Sequence, residues 1–469
     1  MQLTLARLVT VLQQLFFHSA AVAAATAALI KQPRKLSPSA FAQGLVFGWL
    51  QHPNATTNQL ASFVAAAGAP LSEPGLCQRF TPAAAAFFLA LLRAALQLAL
   101  AAPTAAVPLL ARFRGVYLVD STQLTLPAAL APLWAAASAG ASCLKVMATL
   151  ELLGGGLSLQ LGQGRQADLG FDSARQAPPR GALRLADLGF FDLDLLRGYQ
   201  LRGVYWISRA QPQTLLVLSD GRRLALWRYL RQCQQGHVAE SVQLAQGLCC
   251  RLLAWRCPQE VASRRLQKAQ AAASKRCGVL SERQRLMCHW TVLLSSVPVG
   301  MLSANEAWVV YRVRWQVELL FRRWKSLGCL AHSRGEKPYR VLTEVYAKLL
   351  GVLVQNWLQL AAGRSGPRRS AWKAMMLAQS WGLVLVLALG SGSALLRVLA
   401  LLAEALRRVA DVGKRRRKPA TFQTLEQPEQ NGPRQGPAGP AAPLPAPRPR
   451  GRPRRTPPAG ATATAPGGP

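Results

Sequence analysis

The run from Tyr311 to Lys325, YRVRWQVELLFRRWK, constrains this chain more than any other stretch. No Pro or Gly interrupts it before Gly328, and Ser303 with Glu306 three residues on forms a capping-box pattern ahead of it. The spacing predicts one long amphipathic helix. Val310, Val313, Val317, Leu320, Phe321 and Trp324 make its apolar arc. Tyr311, Arg314, Glu318 and Lys325 fall within a neighbouring arc of roughly 60° at the α-helical pitch. An apolar arc of that kind docks on a core, which places the polar arc at the core's edge. A carboxylate flanked there by a phenol and two cations is unusual, although spacing alone is equally met by an ordinary Arg–Glu pair at i, i+4.

Charge narrows the partners. The 469 residues carry 56 Lys and Arg against 20 Asp and Glu, a net charge of +36. Such an excess calls for an anionic partner, nucleic acid ahead of an anionic membrane. With 51% apolar residues the chain can fill the cores of two or three domains. Its nine cysteines include no C-x-x-C pair. Cys249, Cys250, Cys257, Cys277 and Cys288, with His289, match no zinc spacing and read as free thiols in a reducing cytosol. The uncharged stretch between Lys373 and Arg397 is long enough to span a bilayer, but Gln379, Ser380 and Gly390-Ser391-Gly392-Ser393 interrupt it. It reads as a buried helix followed by a turn, with a span left open. Leu15 to Ile30 reads as an Ala-rich helix, because Gln13, Gln14 and His18 make a poor signal h-region.

Read in order, residues 1–105 are helical. Thr56-Thr57-Asn58 caps a short helix ending at Gly68, and a second follows around Leu76 to Phe80. On pattern alone the pair is a helix-turn-helix or a plain helical hairpin. Periodicity changes at Gly115: Val116 to Asp120 is a buried strand ending in an acid. Lys145 to Leu161, around Gly154-Gly155-Gly156, is a hairpin. Leu183 to Asp187 is another apolar stretch ending in an acid, and Val204 to Ile207 is a strand followed by Arg209. Between 212 and 300 lies a β-rich insertion with a turn at Asp220-Gly221, a strand at Leu248–Trp255, a helix from Pro258 to about Lys275 with Arg264, Arg265, Lys268, Lys275 and Arg276 as a basic face, and a strand starting at Trp290. Residues 361–412 are helical, and 413–469 collapse to Pro, Gly, Arg and Ala, a disordered basic tail by composition. Pro449 to Arg454 in it resembles an AT-hook core, with charge-only binding as the preferred reading.

The pattern Y-(2)-R-(3)-E-(6)-K over Tyr311, Arg314, Glu318 and Lys325, in the context WQVELLFRRWK, resembles the signature of the insertion sequence 4 family of DDE transposases. That family places two Asp residues upstream. Asp120, in VDSTxxxLP, is close to its first motif, and Asp187, in DLGFF, to its second, where Leu188 stands in place of the usual Arg. Asp168 and Asp172 in a Gly-rich loop, and Asp192 and Asp194 on the next helix, rank below Asp187 because none ends an apolar strand. Lys145 and Arg209 also fit the pattern, which covers roughly residues 35 to 360.

The resemblance implies an α/β fold. It comprises a helical DNA-binding domain (1–105), an RNase H-like core (106–211 and 301–360) interrupted by the insertion (212–300), and C-terminal helices (361–412) suited to dimerisation. It implies a cut-and-paste DNA transposase in which Asp120, Asp187 and Glu318 hold two Mg²⁺ ions (Mn²⁺ as a substitute) for phosphoryl transfer. Tyr311, Arg314, Lys325 and Arg209 would contact DNA. Trp290 would stack on a base flipped out near the element end, or else is simply a core Trp at a strand start. The implied partners are double-stranded DNA at the transposon ends, target DNA and a second copy of the chain, without a membrane. The implied location is the cytoplasm, at the bacterial nucleoid. Two further readings remain: a catalytically inactive, transposase-derived DNA-binding protein, and a basic membrane-associated helical protein, in which the three acids have no role.

Overall fold

The computed structural model describes residues 3–29, 36–98, 100–101, 107–275, 277–363, 370–410, 412, 419–434 and 436. The resemblance to an AT-hook lies outside them. Ten strands form one mixed sheet: β1 (Val116–Leu126), β2 (Ser142–Glu151), β3 (Leu157–Gln163), β4 (Leu183–Ala186), β5 (Tyr205–Ser208), β6 (Leu215–Val217), β7 (Arg223–Ala225), β8 (His237–Leu244), β9 (Cys249–Arg256) and β10 (Trp290–Ser295). Their order is β3-β2-β1-β4-β5-β10-β9-β8-β6-β7. The β1–β4 and β4–β5 pairings are parallel, and the others are antiparallel.

The insertion is therefore not a separate sheet. Leu294 pairs with Ser208 and Ser295 with Ile207, so β10 continues the core sheet from the edge of β5. An unpaired edge there would expose a row of backbone donors and acceptors, and the insertion covers it. Three of its elements were not apparent in the sequence: β8 and the helices Leu226–Gln232 and Glu282–Cys288. The two helices are short, at seven residues each, and β8 has exposed residues at four of its eight positions.

Strand β1 is longer than expected. It runs past Asp120 to Leu126 and pairs with β2 throughout, Asp120 opposite Ala148 and Leu126 opposite Ser142. Thr122, Leu124 and Leu126 alternate inward with outward Gln123 and Thr125, the period of a half-buried strand. Asp120 thus sits mid-strand, one residue beyond the last β1–β4 pair.

The predicted single helix is two. Ala304–Arg312 starts with the expected Ser303/Glu306 capping box, and Trp315–Ser326 follows. Between them the amides of Val313, Arg314, Gln316 and Val317 each donate to the carbonyl three residues back, a 3₁₀ step in a backbone that stays right-handed. No Pro or Gly marks the step. Tertiary anchors accompany it: the Tyr311 hydroxyl donates to the Ala186 carbonyl, and Arg314 reaches Asp120. The apolar arc docks as expected, with Val310, Val313, Val317, Phe321 and Trp324 buried and Leu320 packed against them.

The 24-residue helix Pro338–Ala361 is buried along almost its whole length. It lies between the sheet and the N-terminal helices Pro38–Gln51, Thr57–Ala66 and Pro82–Leu96, and one continuous apolar core joins all of them. A buried Glu344–Lys348 pair at 2.7 Å lies on this helix. Lys348 donates to the carbonyls of Cys329 and His332, and Ser333 donates to Glu344. A buried pair of this kind persists because its remaining hydrogen-bonding capacity is met, and here it pins the loop after Trp315–Ser326.

The two short N-terminal helices exist as Thr57–Ala66, with a Thr56/Gln59 capping box, and Glu73–Cys77, of only five residues. The uncharged C-terminal stretch is not one helix: Ala371–Gln379 and Gly382–Ala388 meet at 56°, and Gly392–Val409 follows. Gly382 sits against the preceding core helix so closely that a Cβ would lie 2.8 Å from the Phe47 carbonyl. By length and composition the bent pair, and the run Leu5–Thr26, pass as possible spans, but half of the latter is buried inside the protein. All nine cysteines are free. The expectation of disorder from residue 413 needs correction for 419–434 and 436. Thr421–Glu426 is a helix with Leu425 4% exposed in the main core. Glu429 accepts from Ser303 and Asn305, and the Gly436 amide donates to the Arg256 carbonyl. A single Leu with flanking polar anchors is too sparse a pattern for composition to register.

Candidate active site

Strand register builds the site. Val119 pairs with Ala186, and Ala186 with Ser208, along three adjacent parallel strands. Asp120, Asp187 and Arg209 are the next residue on each, so they emerge side by side where the parallel ladder ends, Asp187 and Arg209 just past β4 and β5 and Asp120 partway along β1. Arg209 Nη1 lies 3.8 Å from Asp187 Oδ1. The helix Trp315–Ser326 packs on β1 and brings Glu318 to the same place.

Arg314, at the 3₁₀ step, ties the acids together. Its Nη2 donates to Glu318 Oε1 at 2.5 Å, and its Nη1 is 3.6 Å from Asp120 Oδ2. Burial opposes its charge, but Tyr311, Asp187 and Glu318 together raise its pKa. The Asp120 carboxyl is raised to about 6, mainly by burial, with Glu318 and Asp187 adding repulsion. The Ser121 amide and Arg314 oppose that rise. Tyr311 is pushed up to about 12 by burial and then by Asp187. Its hydroxyl is spent on Ala186, which makes it an anchor between the helix and the end of β4.

The other nominated residues scatter. Lys325 is exposed two turns beyond Glu318 on the same helix. Trp290 is 2% exposed in the core of the insertion, with the Arg256 guanidinium 4.9 Å above its ring. In this conformation it offers no face to a base, and it behaves as the core Trp of the alternative reading. Lys145 is buried and donates to the Gln166 carbonyl and to Asp168, which also accepts from Ser121. Ser121 points to the sheet face opposite Asp120, so Asp168 belongs to a structural lock there. Asp192 caps the helix Leu193–Leu201 through the Leu195 amide.

A cleft of about 1160 Å³ opens over this end of the sheet. Asp187, Arg209, Tyr311, Arg314 and Glu318 line it, and the Asp120 side chain, 22% exposed, lies beside Arg314. The same wall carries Arg265, read from the sequence only as part of a basic helix face, and Arg312, Trp315, Arg322 and Arg323, which sequence reasoning missed, along with Trp372 and Thr421 from the C-terminal segment. The double Arg after Phe321 and the exposed Trp315 were visible signals. Thr421 was not, because Gln316 reaches it across more than a hundred residues, Nε2 to Oγ1 at 2.7 Å.

The Transposase DDE domain family matches residues 111–353, more than half of the chain, including Asp120, Asp187, Arg209, Arg314 and Glu318. The chain belongs to the DDE transposases. It is 25% identical over 354 residues to the transposase of IS231B from Bacillus thuringiensis subsp. berliner, covering 69% of this chain and 73% of that one. It is 27% identical to that of IS231C from the same subspecies, with the same coverage. The transposase of IS1151 from Clostridium perfringens is 22% identical over 52% of this chain and 57% of its own. These relatives are insertion-sequence transposases of the IS4 type.

Membership implies an RNase H-like core and dependence on a divalent metal. The donor set of this transposase is of the hard-oxygen kind that a divalent cation takes: three carboxylates gather around Arg209 and Arg314, and Asp187 Oδ1 is buried without a hydrogen-bond partner. As they stand, the acids are each met by an arginine. Among the described residues no three His, Cys, Asp or Glu side chains lie close enough together to hold an ion.

Proposed function

We propose that this transposase excises and reinserts an insertion sequence by cut-and-paste chemistry, with a hairpin at the cleaved ends. The observation that carries this reading is the gathering of Asp120, Asp187 and Glu318 around Arg209 and Arg314 at one end of the sheet, beside a cleft, in a chain with net charge +36. Asp120, Asp187 and Glu318 would hold two Mg²⁺ ions, or Mn²⁺, which supply Lewis-acid stabilisation of the attacked phosphate and its leaving oxygen. Arg314, Arg209 and Lys325 grip phosphates beside the cut strand and fix its register without reading sequence. Tyr311 holds the helix against β4. A water cuts the first strand, and the freed 3′-hydroxyl then attacks the opposite strand.

The N-terminal helices would bind the element ends. The C-terminal helices, with Met376, Leu387 and Leu401 exposed, would join two copies for synapsis. Target DNA is the second substrate, the cell compartment is the bacterial cytoplasm, and no membrane is needed. Leu188, in place of the Arg usual beside the second acid, supports one competing reading, a chain that binds DNA without cutting it. Incubation with DNA bearing the flanking inverted repeats tests both. Mg²⁺-dependent nicking that is lost in Asp120→Asn, Asp187→Asn and Glu318→Gln supports the enzyme. Specific binding with no nicking supports the binding-only chain.

A further inference from the structure

Arg314 stands where the acids would otherwise face one another. Its fork bonds Glu318 through one nitrogen and faces Asp120 through the other, and its side chain is only 12% exposed. Arg314 lines the cleft, and its side chain is less exposed than those of Asp120, at 22%, and Glu318, at 29%. Asp120 Oδ1 accepts from the Ser121 amide, and Oδ2 faces Arg314, so both of its oxygens are engaged. Arg314 Nη1 has no hydrogen-bond partner of its own, so its hold on Asp120 is purely ionic and looser than its hold on Glu318.

We infer that Arg314 is an exchangeable counter-ion of the acid cluster, which DNA phosphate draws away so that Asp120 and Glu318 become free for divalent cations. A guanidinium pairs as readily with a phosphate as with a carboxylate, and both pairings use the same fork. Once Arg314 turns to the backbone, three carboxylates are left facing one another, and their mutual repulsion is relieved by cation binding. DNA and metal then bind cooperatively, and by linkage each tightens the other by the same factor. Arg314 acts here through Asp120 and Glu318 and is a positioning residue. The inference rests on the proposed transposase reading and assigns it an order: DNA first, metal second.

The test is Mn²⁺ titration of the full chain at pH 7.5, following the free-ion paramagnetic signal, with and without a duplex carrying the element's end. Without DNA, Arg314→Gln binds Mn²⁺ at least tenfold more tightly than wild type. Arg314→Lys, which keeps the charge but cannot fork between two carboxylates, falls between them. Arg322→Gln removes a cleft cation that touches neither acid and stays within about threefold of wild type, the residual being long-range charge. The duplex tightens Mn²⁺ in wild type by at least tenfold and much less in Arg314→Gln. Equal affinities for wild type and Arg314→Gln overturn the inference, as does equal tightening by Arg322→Gln. Metal-dependent nicking by wild type that is lost in Asp120→Asn keeps the transposase reading intact in either case, so the two failures are told apart.

Discussion

Val119 and Ala186 form the last pair of the β1–β4 parallel ladder, so the backbone delivers Asp120 and Asp187 to adjacent positions whatever their side chains do. Two acids that share a ladder end feel each other's charge. Burial, with smaller additions from Glu318 and then Asp187, gives Asp120 its pH behaviour.

Asp120 makes the metal-free protein less stable as pH rises. Its folded-state carboxyl titrates near 6 against an ordinary 3.8, so the fold binds this proton more tightly than the unfolded chain does. Its contribution is fully favourable below about 3.8 and is lost as pH rises through about 6. A shift of that size corresponds to roughly 2–3 kcal/mol. Asp120→Asn should therefore be more stable than wild type at pH 7.5 without metal, and the gap should close near pH 4. Thermal melts of both proteins across that range check the sign; a gap that widens on acidification contradicts it.

Tyr311→Phe removes one hydrogen bond to a strand carbonyl and leaves the ring in place. The expected loss is about 1 kcal/mol of stability with strand cleavage largely retained. A large fall in cleavage rate at unchanged stability would instead return the hydroxyl to the DNA.

Trp290→Ala empties the centre of the insertion core and should cost about 3–5 kcal/mol. Trp290→Phe should recover most of that. Denaturant midpoints decide: a fully stable Trp290→Ala protein that fails only in end processing would favour the base-stacking role.

Lys325→Ala should fold normally, because the side chain is exposed and holds no core contact. Binding to DNA should weaken across sequences, with the salt slope lower by about 1, and strand transfer should be lost. Full strand transfer with an unchanged slope would make Lys325 an ordinary solvated charge.

The sequence by itself determined the local parts. The capping box at Ser303, the apolar arc on which Glu318 rides, the buried runs that end at Asp120 and Asp187, and the turn at Asp220-Gly221 all follow from periodicity and turn chemistry acting over a few residues. The four spaced residues from Tyr311 to Lys325 named the family before any strand was paired. Tertiary structure decided what depends on distant partners. Whether β1 stops at Asp120 was settled by β2, whose pairing carries it on to Leu126. The 3₁₀ step that turns Arg314 toward two acids coincides with anchors on Ala186 and Asp120, which no helical pattern encodes. Trp290 looks the same in sequence whether it faces a base or a core, and only the tertiary structure shows it buried with Arg256 packed over its ring. The C-terminal segment read as solvent-loving until Gln316, Ser303 and Arg256 supplied its seats. Local pattern fixes backbone period and which face is apolar; long-range pairing fixes which polar groups meet, because each such contact joins residues whose separation along the chain leaves no periodic trace.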